Sequence, residues 1–376
     1  MAEPLKNQYG PAIPRRIAAM IAQVHPAFPE AAFLRDALAG YEALELMPRG
    51  RHIAAALARH LPQEVPAALD ILIASLDAPH DDIRGPMAPF LFMPHTVYVA
   101  TRALDHFEDA MRAQHALTRR FTAEFSIRPF IERDQARTLS RLREWTRDPS
   151  EHVRRLVSEG TRPRLPWAPQ LRALQQDPRP ALELLELLKD DPSLYVRRSV
   201  ANHLNDIGKD HPELLNTVAR RWLKGASAER AWIVRHALRS AIKRGDAGAL
   251  AVSGFGAKAE VSVRHAAVTP ARISAGGAVR IAFELLNRLP RAQRVLVDLR
   301  VHYVKAGGQS APKVFKLKAV ELAPRAAMAF GKTLSLADLS TRRHYPGVHQ
   351  VEALLNGRAV ALGEFRLLAR LSGRRR

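Results

Sequence analysis

The chain of 376 residues contains no cysteine. This absence excludes disulfide bonds, a thiol nucleophile and any zinc site with cysteine ligands. Long apolar runs are missing too, since no segment approaches the roughly 18 consecutive apolar residues of a membrane span. The first residues form no continuous apolar stretch of the signal-peptide kind. We therefore expect a cytoplasmic protein that has no membrane partner.

Motifs that bind metal ions or nucleotides are also missing. The 15 histidines are scattered, and none belongs to an HExxH motif. No GxGxxG segment follows a strand pattern, and neither a P-loop nor a serine nucleophile elbow occurs. The sequence therefore predicts no metal and no cofactor.

Acidic residues are scarce relative to basic ones. Lys and Arg number 58 against 37 Asp and Glu, which gives a formal net charge of +21. Residues 256–376 hold 22 basic and 7 acidic residues, whereas residues 1–255 hold 36 and 30. Compositional bias alone would not segregate charge in this way, so the pattern favours a nucleic-acid partner. Charge by itself does not separate DNA from RNA.

A repeated segment gives the first indication of fold. Residues 148–155 and 191–198 share the pattern Asp-Pro-Ser-x-x-Val-Arg-Arg and lie 43 residues apart. A degraded copy at 231–238 follows, and its Val-Arg pair lies a further 38 residues along the chain. Periods near forty are typical of paired-helix HEAT-like repeats, which stack into a solenoid with a concave binding surface. Apolar spacing predicts further helices over residues 13–24, 30–46, 49–61, 65–76, 97–113, 117–130 and 135–147. The recurring cations suit phosphate contacts, and the candidates are Arg154, Arg155, Arg162, Arg164, Arg197, Arg198, Arg235 and Arg239.

The pattern changes near residue 250, where period-two alternation begins. It predicts seven strands, over residues 260–267, 279–286, 294–304, 313–322, 328–336, 349–355 and 358–367. Asn356-Gly357 is a strong hairpin signal between the last two. The predicted fold is therefore mainly α, with a HEAT-like helical-repeat solenoid over residues 1–250. A basic, all-β immunoglobulin-like sandwich without a disulfide follows over residues 256–376 and is expected to give accessory DNA binding. The Arg374, Arg375 and Arg376 tail could add phosphate contacts or be solvated charge.

Four residues within the repeats need a reason beyond core packing: Glu124, Glu159, Trp167 and Asp206. Glu159 and Asp206 follow the two repeated helices, so both side chains could project toward one groove. Structural alternatives exist for each: Glu124 could pair with Arg128, Glu159 with Arg162 or Arg164, and Asp206 with Lys209. Trp167, in a Pro-rich loop, could pack between repeats.

Several longer segments carry a family resemblance. They are SIRPFI at residues 126–131, SEGTRPRLPWA at 158–168, DPSLYVRRSVANHLNDI at 191–207, and the stretch 42–53. Together they resemble the AlkC branch of the AlkD-like HEAT-repeat DNA glycosylases, in the version that carries a C-terminal immunoglobulin-like domain. The resemblance covers roughly residues 5–250.

The resemblance implies monofunctional excision of cationic N3-methylated bases from double-stranded DNA, chiefly 3-methyladenine, with 3-methylcytosine as a second lesion, and without base flipping. It implies that Glu124, Glu159, Trp167 and Asp206 form the active site, and that the protein is a monomer. The residue types suit this chemistry, because carboxylates can stabilise an oxocarbenium-like sugar and position water, and an indole face adds a cation–π contact. A non-catalytic HEAT-repeat module that binds DNA or protein is the alternative.

Overall fold

The computed structural model describes residues 5–76, 88–256, 258–338 and 343–369, and the Arg374–Arg376 tail lies outside them. The chain forms two compact units, Met1–Asp210 with Ala226–Ala237, and His211–Gly225 with Leu238–Arg376. The last helices before the β region thus contact the β unit. The sequence predicted a domain boundary between residues 250 and 256. That the functions of the helical and the β part also divide there remains a prediction.

The described part of the first 256 residues is helical, as the sequence predicted. The helices are α1 Ala12–Val24, α2 Glu30–Leu38, α3 Leu46–His60, α4 Val65–Ser75, α5 Met93–Arg102, α6 Phe107–Thr118, α7 Arg128–Arg133, α8 Gln135–Trp145, α9 Glu151–Gly160, α10 Arg172–Gln176, α11 Arg179–Leu188, α12 Leu194–Asp210, α13 Pro212–Leu223, α14 Ala228–Arg244 and α15 Ala247–Val252. Short 3-10 turns occupy Leu5–Gln8, Tyr41–Ala43 and Ala88–Phe92. Of the helices described, none is long and apolar enough to cross a membrane.

The repeated Asp-Pro-Ser-x-x-Val-Arg pattern forms a turn before each helix that is held by side-chain hydrogen bonds. The Asp148 carboxylate accepts from the Ser150 amide at 2.8 Å, and Asp191 accepts from Ser193 in the same way. In the first copy Arg154 donates back to the Asp148 carbonyl, and in the second Arg197 does the same to the Asp191 carbonyl. The first arginine of each copy therefore closes its own turn, which explains the recurrence without a ligand.

Three predicted helices are wrong in extent. The helix expected over residues 30–46 stops at Leu38, because Gly40 takes a left-handed φ of 68° and the chain turns before α3. The helices expected over 97–113 and 117–130 are instead α5, α6 and α7, with turns between them. Glu124 consequently lies in a turn before α7 and not on a helix face.

The β unit contains all seven predicted strands, which are β1 Val261–Thr269, β3 Ala278–Asn287, β4 Gln293–Val304, β5 Ser310–Leu322, β6 Ala327–Ser335, β7 Gly347–Leu355 and β8 Arg358–Leu367, and the two-residue β2 Arg272–Ile273. One sheet has the order β1-β3-β6 and the other β2-β8-β7-β4-β5, with β5 and β6 at edges. Alternate residues of β4, from Val295 to Tyr303, are buried in the core shared by both sheets. The predicted two-sheet sandwich is confirmed.

The β7–β8 hairpin turns at Asn356 and Gly357, whose φ values are 48° and 80°. Positive φ at both central residues is what the Asn-Gly signal predicts. Gly357 also lies against the turn between α14 and α15, so a Cβ there would come within 2.6 Å of Leu250 and 3.2 Å of Gly245. This close approach ties the hairpin to the helices of its own unit.

Candidate active site

Glu124 lies in the turn before α7 and is held by two donors. Its Oε2 accepts from the Thr122 hydroxyl at 2.9 Å and from Arg155 Nη1 at 2.5 Å. The sequence alternative was a local pair with Arg128, but the cation that binds Glu124 comes from α9. This contact joins the turn to the first repeated helix.

Glu159 occupies the last turn of α9 and is 6% exposed. Its Oε1 accepts from Arg162 Nη1 at 2.6 Å, and its Oε2 accepts from the Ser199 hydroxyl of α12 at 2.6 Å. Arg155 lies 3.6 Å from the same carboxylate. Both oxygens are therefore held in fixed positions by donors from two helices and the following loop.

Asp206 lies toward the C-terminal end of α12 and is 1% exposed. Its Oδ2 accepts from Arg162 at 2.7 Å, and its Oδ1 accepts from Lys209 at 2.8 Å. A single guanidinium thus bridges Glu159 and Asp206, which the sequence placed toward one groove. Asp206 lies behind Arg162 and does not line the adjoining cleft.

Trp167 lies in the loop between α9 and α10 and is 76% exposed, in contrast to the buried acids. Its backbone φ is +67°, a left-handed conformation that a bulky side chain rarely adopts. An exposed indole on a strained backbone does not fit the alternative of packing between repeats. The fold holds this ring at the surface of the protein.

Glu124, Glu159 and Trp167 line a single cleft of about 420 Å³. Arg155 and Arg162 contribute cations to it. An apolar wall completes the cleft and was missed from the sequence; it is formed by Met47, Phe90, Met93, Val97, Phe121, Phe125 and Tyr195. These residues come from α3, α5, α12 and two connections, so no periodic pattern marks them as a group.

Arg155 is the central cation of this cleft. Its guanidinium lies 5.0 Å from the centroid of the Tyr195 ring, in addition to its contacts with Glu124 and Glu159. Burial opposes its charge, but the two carboxylates outweigh burial and hold the pKa of the guanidinium above its ordinary value. The site is therefore a compensated cluster of acids and arginines and not a set of free carboxylates.

His203 lies beneath the cluster on α12 and is fully buried. Its Nδ1 is 2.9 Å from the Ser158 carbonyl. Burial is the largest influence on this ring and lowers the pKa of His203 to about 4. The imidazole is consequently neutral at pH 7 and acts as a packing residue that carries one hydrogen bond.

The eight arginines that the sequence treated alike have different surroundings. Arg154 and Arg197 bond backbone carbonyls, and Arg154 also bonds Asp191 at 2.6 Å. The structure pairs Arg155 and Arg162 with the site acids and Arg164 with Asp210. Arg198 and Arg235 are exposed, and Arg239 is half-buried. A guanidinium that contacts phosphate must be exposed, so among the eight candidates Arg198 and Arg235 suit this role best. Their contact with phosphate remains a prediction.

No group of three or more His, Asp or Glu residues in the described part of the chain is arranged to hold a metal ion. The cleft instead offers carboxylates, guanidinium groups, hydroxyls and aromatic faces. Such a set can bind and stabilise a cationic centre beside an apolar wall.

Comparison with known proteins places this arrangement in a family. A model of the "YhaZ, C-terminal Ig-like domain" family matches residues 262–369. The uncharacterized protein YhaZ of Bacillus subtilis is 36% identical over 354 residues, covering 94% of this chain and 96% of its own. The structure of Pseudomonas fluorescens alkylpurine DNA glycosylase AlkC, bound to DNA containing an abasic site analog, is 40% identical with a TM-score of 0.90, covering 98% of this chain and 100% of that one. The chain belongs to the AlkC family.

Proposed function

We propose that this protein is a monofunctional DNA glycosylase that excises cationic N3-alkylated bases during base excision repair. The observation that carries the proposal is the cleft in which Glu124, Glu159 and Trp167 meet, with Asp206 linked to Glu159 through Arg162. Membership of the AlkC family supports it, since the Pseudomonas fluorescens member is an alkylpurine DNA glycosylase bound to abasic-site DNA. The proposed substrates are 3-methyladenine and 3-methylcytosine.

The proposed reaction needs little acid catalysis. A 3-methyladenine base carries a positive charge, so cleavage of the bond from C1′ to the base nitrogen leaves the electron pair on a neutral departing base. The sugar becomes an oxocarbenium-like cation, and water adds its oxygen to C1′ while giving a proton to a carboxylate. Glu159 is the proposed base, because it lines the cleft and its oxygens are fixed by Ser199 and Arg162.

The other residues have supporting roles in this proposal. Glu124 adds a second negative charge at the cleft, and the exposed Trp167 ring contributes about 1–2 kcal/mol of cation–π stabilisation to the developing sugar cation. Asp206 acts through Arg162, whose guanidinium it anchors from behind. The lesion need not leave the duplex, because selectivity follows from its charge and its weak glycosidic bond.

The β unit is the proposed accessory DNA-binding region. Five of the six lysines in residues 256–376 belong to β5, β6 or the turn before β5; they are Lys305, Lys313, Lys316, Lys318 and Lys332. Within the described chain none of the five forms an ion pair, in contrast to the paired arginines of the helical unit. Lysines on edge strands also protect against aggregation. If these lysines contact phosphates, the affinity of the protein for DNA should in addition depend on salt concentration.

Base release from alkylated duplex DNA tests the proposal. Under single-turnover conditions the wild type should release methylated bases, and Glu159→Gln and Asp206→Asn should each slow release at least about tenfold, which is about 1.4 kcal/mol of barrier. The buried Asp298→Asn on β4 is a matched carboxylate control that should keep the wild-type rate. Release by none of the proteins, with DNA binding retained, would favour the alternative of a non-catalytic HEAT-repeat binding module.

A further inference from the structure

Arg128, at the start of α7, is buried and lies outside the cleft. Its exposed fraction is 3%, and it does not line the cavity that holds Glu124, Glu159 and Trp167. Its Nη1 donates to the carbonyls of Gly160 at 3.0 Å and Arg162 at 2.8 Å, and its Nη2 donates to the carbonyl of Pro169 at 2.5 Å. One side chain therefore holds the entrance, the first turn and the exit of the loop that carries Trp167.

Burying the Arg128 guanidinium costs desolvation free energy, which favours a role for this side chain other than stabilising the fold. No carboxylate forms an ion pair with Arg128 in the described part of the chain, and its Nε has no hydrogen-bond partner there. Desolvation of the guanidinium lowers the pKa of Arg128 to about 10, so the side chain remains charged at neutral pH. Replacing a buried charge by a well-packed apolar residue is often neutral or stabilising.

The loop needs an external support. Residues 161–169 include Pro163, Pro166 and Pro169, which provide no backbone N–H for internal hydrogen bonds. Within the loop the Ala168 amide donates to the Leu165 carbonyl at 3.3 Å, a long bond. Trp167 is left-handed and exposed, so neither packing nor a local backbone preference holds its ring in place.

We propose that Arg128 is a positioning residue for the excision reaction: by clamping the carbonyls of Gly160, Arg162 and Pro169, it holds the 161–169 loop so that the Trp167 ring stays in the geometry that the sugar cation requires. The inference rests on the proposed glycosylase function. It assigns to the SIRPFI segment a role in organising the site, although none of its side chains lines the cleft.

Arg49 supplies a matched control elsewhere in the chain. It is 6% exposed and likewise donates to backbone carbonyls, those of Lys6, Tyr9, Glu42 and Leu44. None of these four residues lines the cleft. A loss of activity that came only from removing a buried carbonyl-binding arginine would therefore occur at Arg49 and at Arg128 alike.

A double-mutant cycle with Trp167 tests the inference. Single-turnover base release is measured for wild type, Arg128→Lys, Trp167→Ala and the double variant, with the same set for Arg49→Lys. We expect Arg128→Lys to slow release at least tenfold in the wild-type background and less than twofold when Trp167 is already alanine. Affinity for DNA containing a neutral abasic analogue should change less than threefold. Arg49→Lys should slow release less than threefold in both backgrounds.

Equal effects of Arg128→Lys in the two backgrounds, or no effect in either, would overturn the inference. If Arg128→Lys does not fold, Pro169→Gly loosens the same loop at an exposed residue whose carbonyl Arg128 binds and which does not line the cleft. It should show the same dependence on Trp167, and an additive result there also overturns the inference. A wild type that binds DNA but releases no base would contradict the proposed function instead.

Discussion

At the scale of single residues, the site is defined by which cation holds which acid. Arg162 bonds Glu159 and Asp206 at 2.6 and 2.7 Å, and Arg155 bonds Glu124. Sequence reasoning named the local pair of Glu159 with Arg162 as an alternative. It could not find the bonds from Arg162 to Asp206 and from Arg155 to Glu124, because these partners lie 44 and 31 residues apart in the chain. With this pairing Glu159 lines the cleft, while Asp206 bonds Arg162 and does not line it.

The neutral His203 makes stability depend on pH. Its pKa is about 4 in the folded protein, below the ordinary value near 6.5, so its contribution is complete above pH 6.5 and is lost as the pH falls toward 4. Between pH 7 and pH 5 we expect it to account for about 2 kcal/mol of lost unfolding free energy. His203→Gln should show a pH dependence weaker by that amount in urea titrations. An unchanged pH dependence would mean that the ring is already protonated or exposed.

At the scale of elements, the period-two alternation located the strands more accurately than the helical periodicity located the helices. All seven strands were located within a few residues, because alternate buried and exposed positions leave little freedom in register. The helices predicted over residues 97–113 and 117–130 were misplaced because apolar residues continue through the turns at 103–106 and 119–127, where they also face the core. The apolar wall of the cleft was missed for the same reason, since Phe121 and Phe125 look like ordinary helix-core residues.

The β7–β8 hairpin supports a prediction at this scale. Gly357 and Gly308 both have positive φ, 80° and 77°, but a Cβ on Gly308 meets open space whereas one on Gly357 meets Leu250 and Gly245. Gly308→Ala should cost about 1 kcal/mol of unfolding free energy from backbone strain alone. Gly357→Ala should cost about 2–3 kcal/mol, because steric overlap is added. Equal costs would show that the hairpin does not rest on the α14–α15 turn.

At the scale of the whole molecule, charge is distributed unevenly. Many arginines of the helical unit are paired with acids, while the lysines of β5 and β6 lie along strand edges, where Lys313 and Lys332 flank the Phe315 ring at 5.1 and 5.7 Å. Counting basic and acidic residues along the sequence located the basic excess in the C-terminal third. The counts could not tell which cations are paired with acids, because pairing depends on tertiary contacts.

Replacing Lys313, Lys318 and Lys332 by glutamine in the full chain tests the DNA-binding role of the β unit. The slope of log affinity for duplex DNA against log salt concentration should fall by about 2–3, since each phosphate contact contributes about 0.9. Arg112, Arg143 and Arg179 replaced together by glutamine remove the same formal charge from residues that already bond Asp70, Glu183 and Asp177. That control should leave the slope nearly unchanged. Equal slopes for the two triple variants would assign the effect to net charge alone.

The central claim is that the acids of the cleft stabilise positive charge on the sugar. The most direct measurement compares the affinity of the protein for duplexes that contain a cationic, nitrogen-containing abasic-sugar analogue or a neutral one of the same shape. We expect the wild type to prefer the cationic analogue at least tenfold, and Glu159→Gln to reduce that preference to within about twofold. Equal affinity of the wild type for both duplexes, or a preference that survives the substitution, would contradict the account.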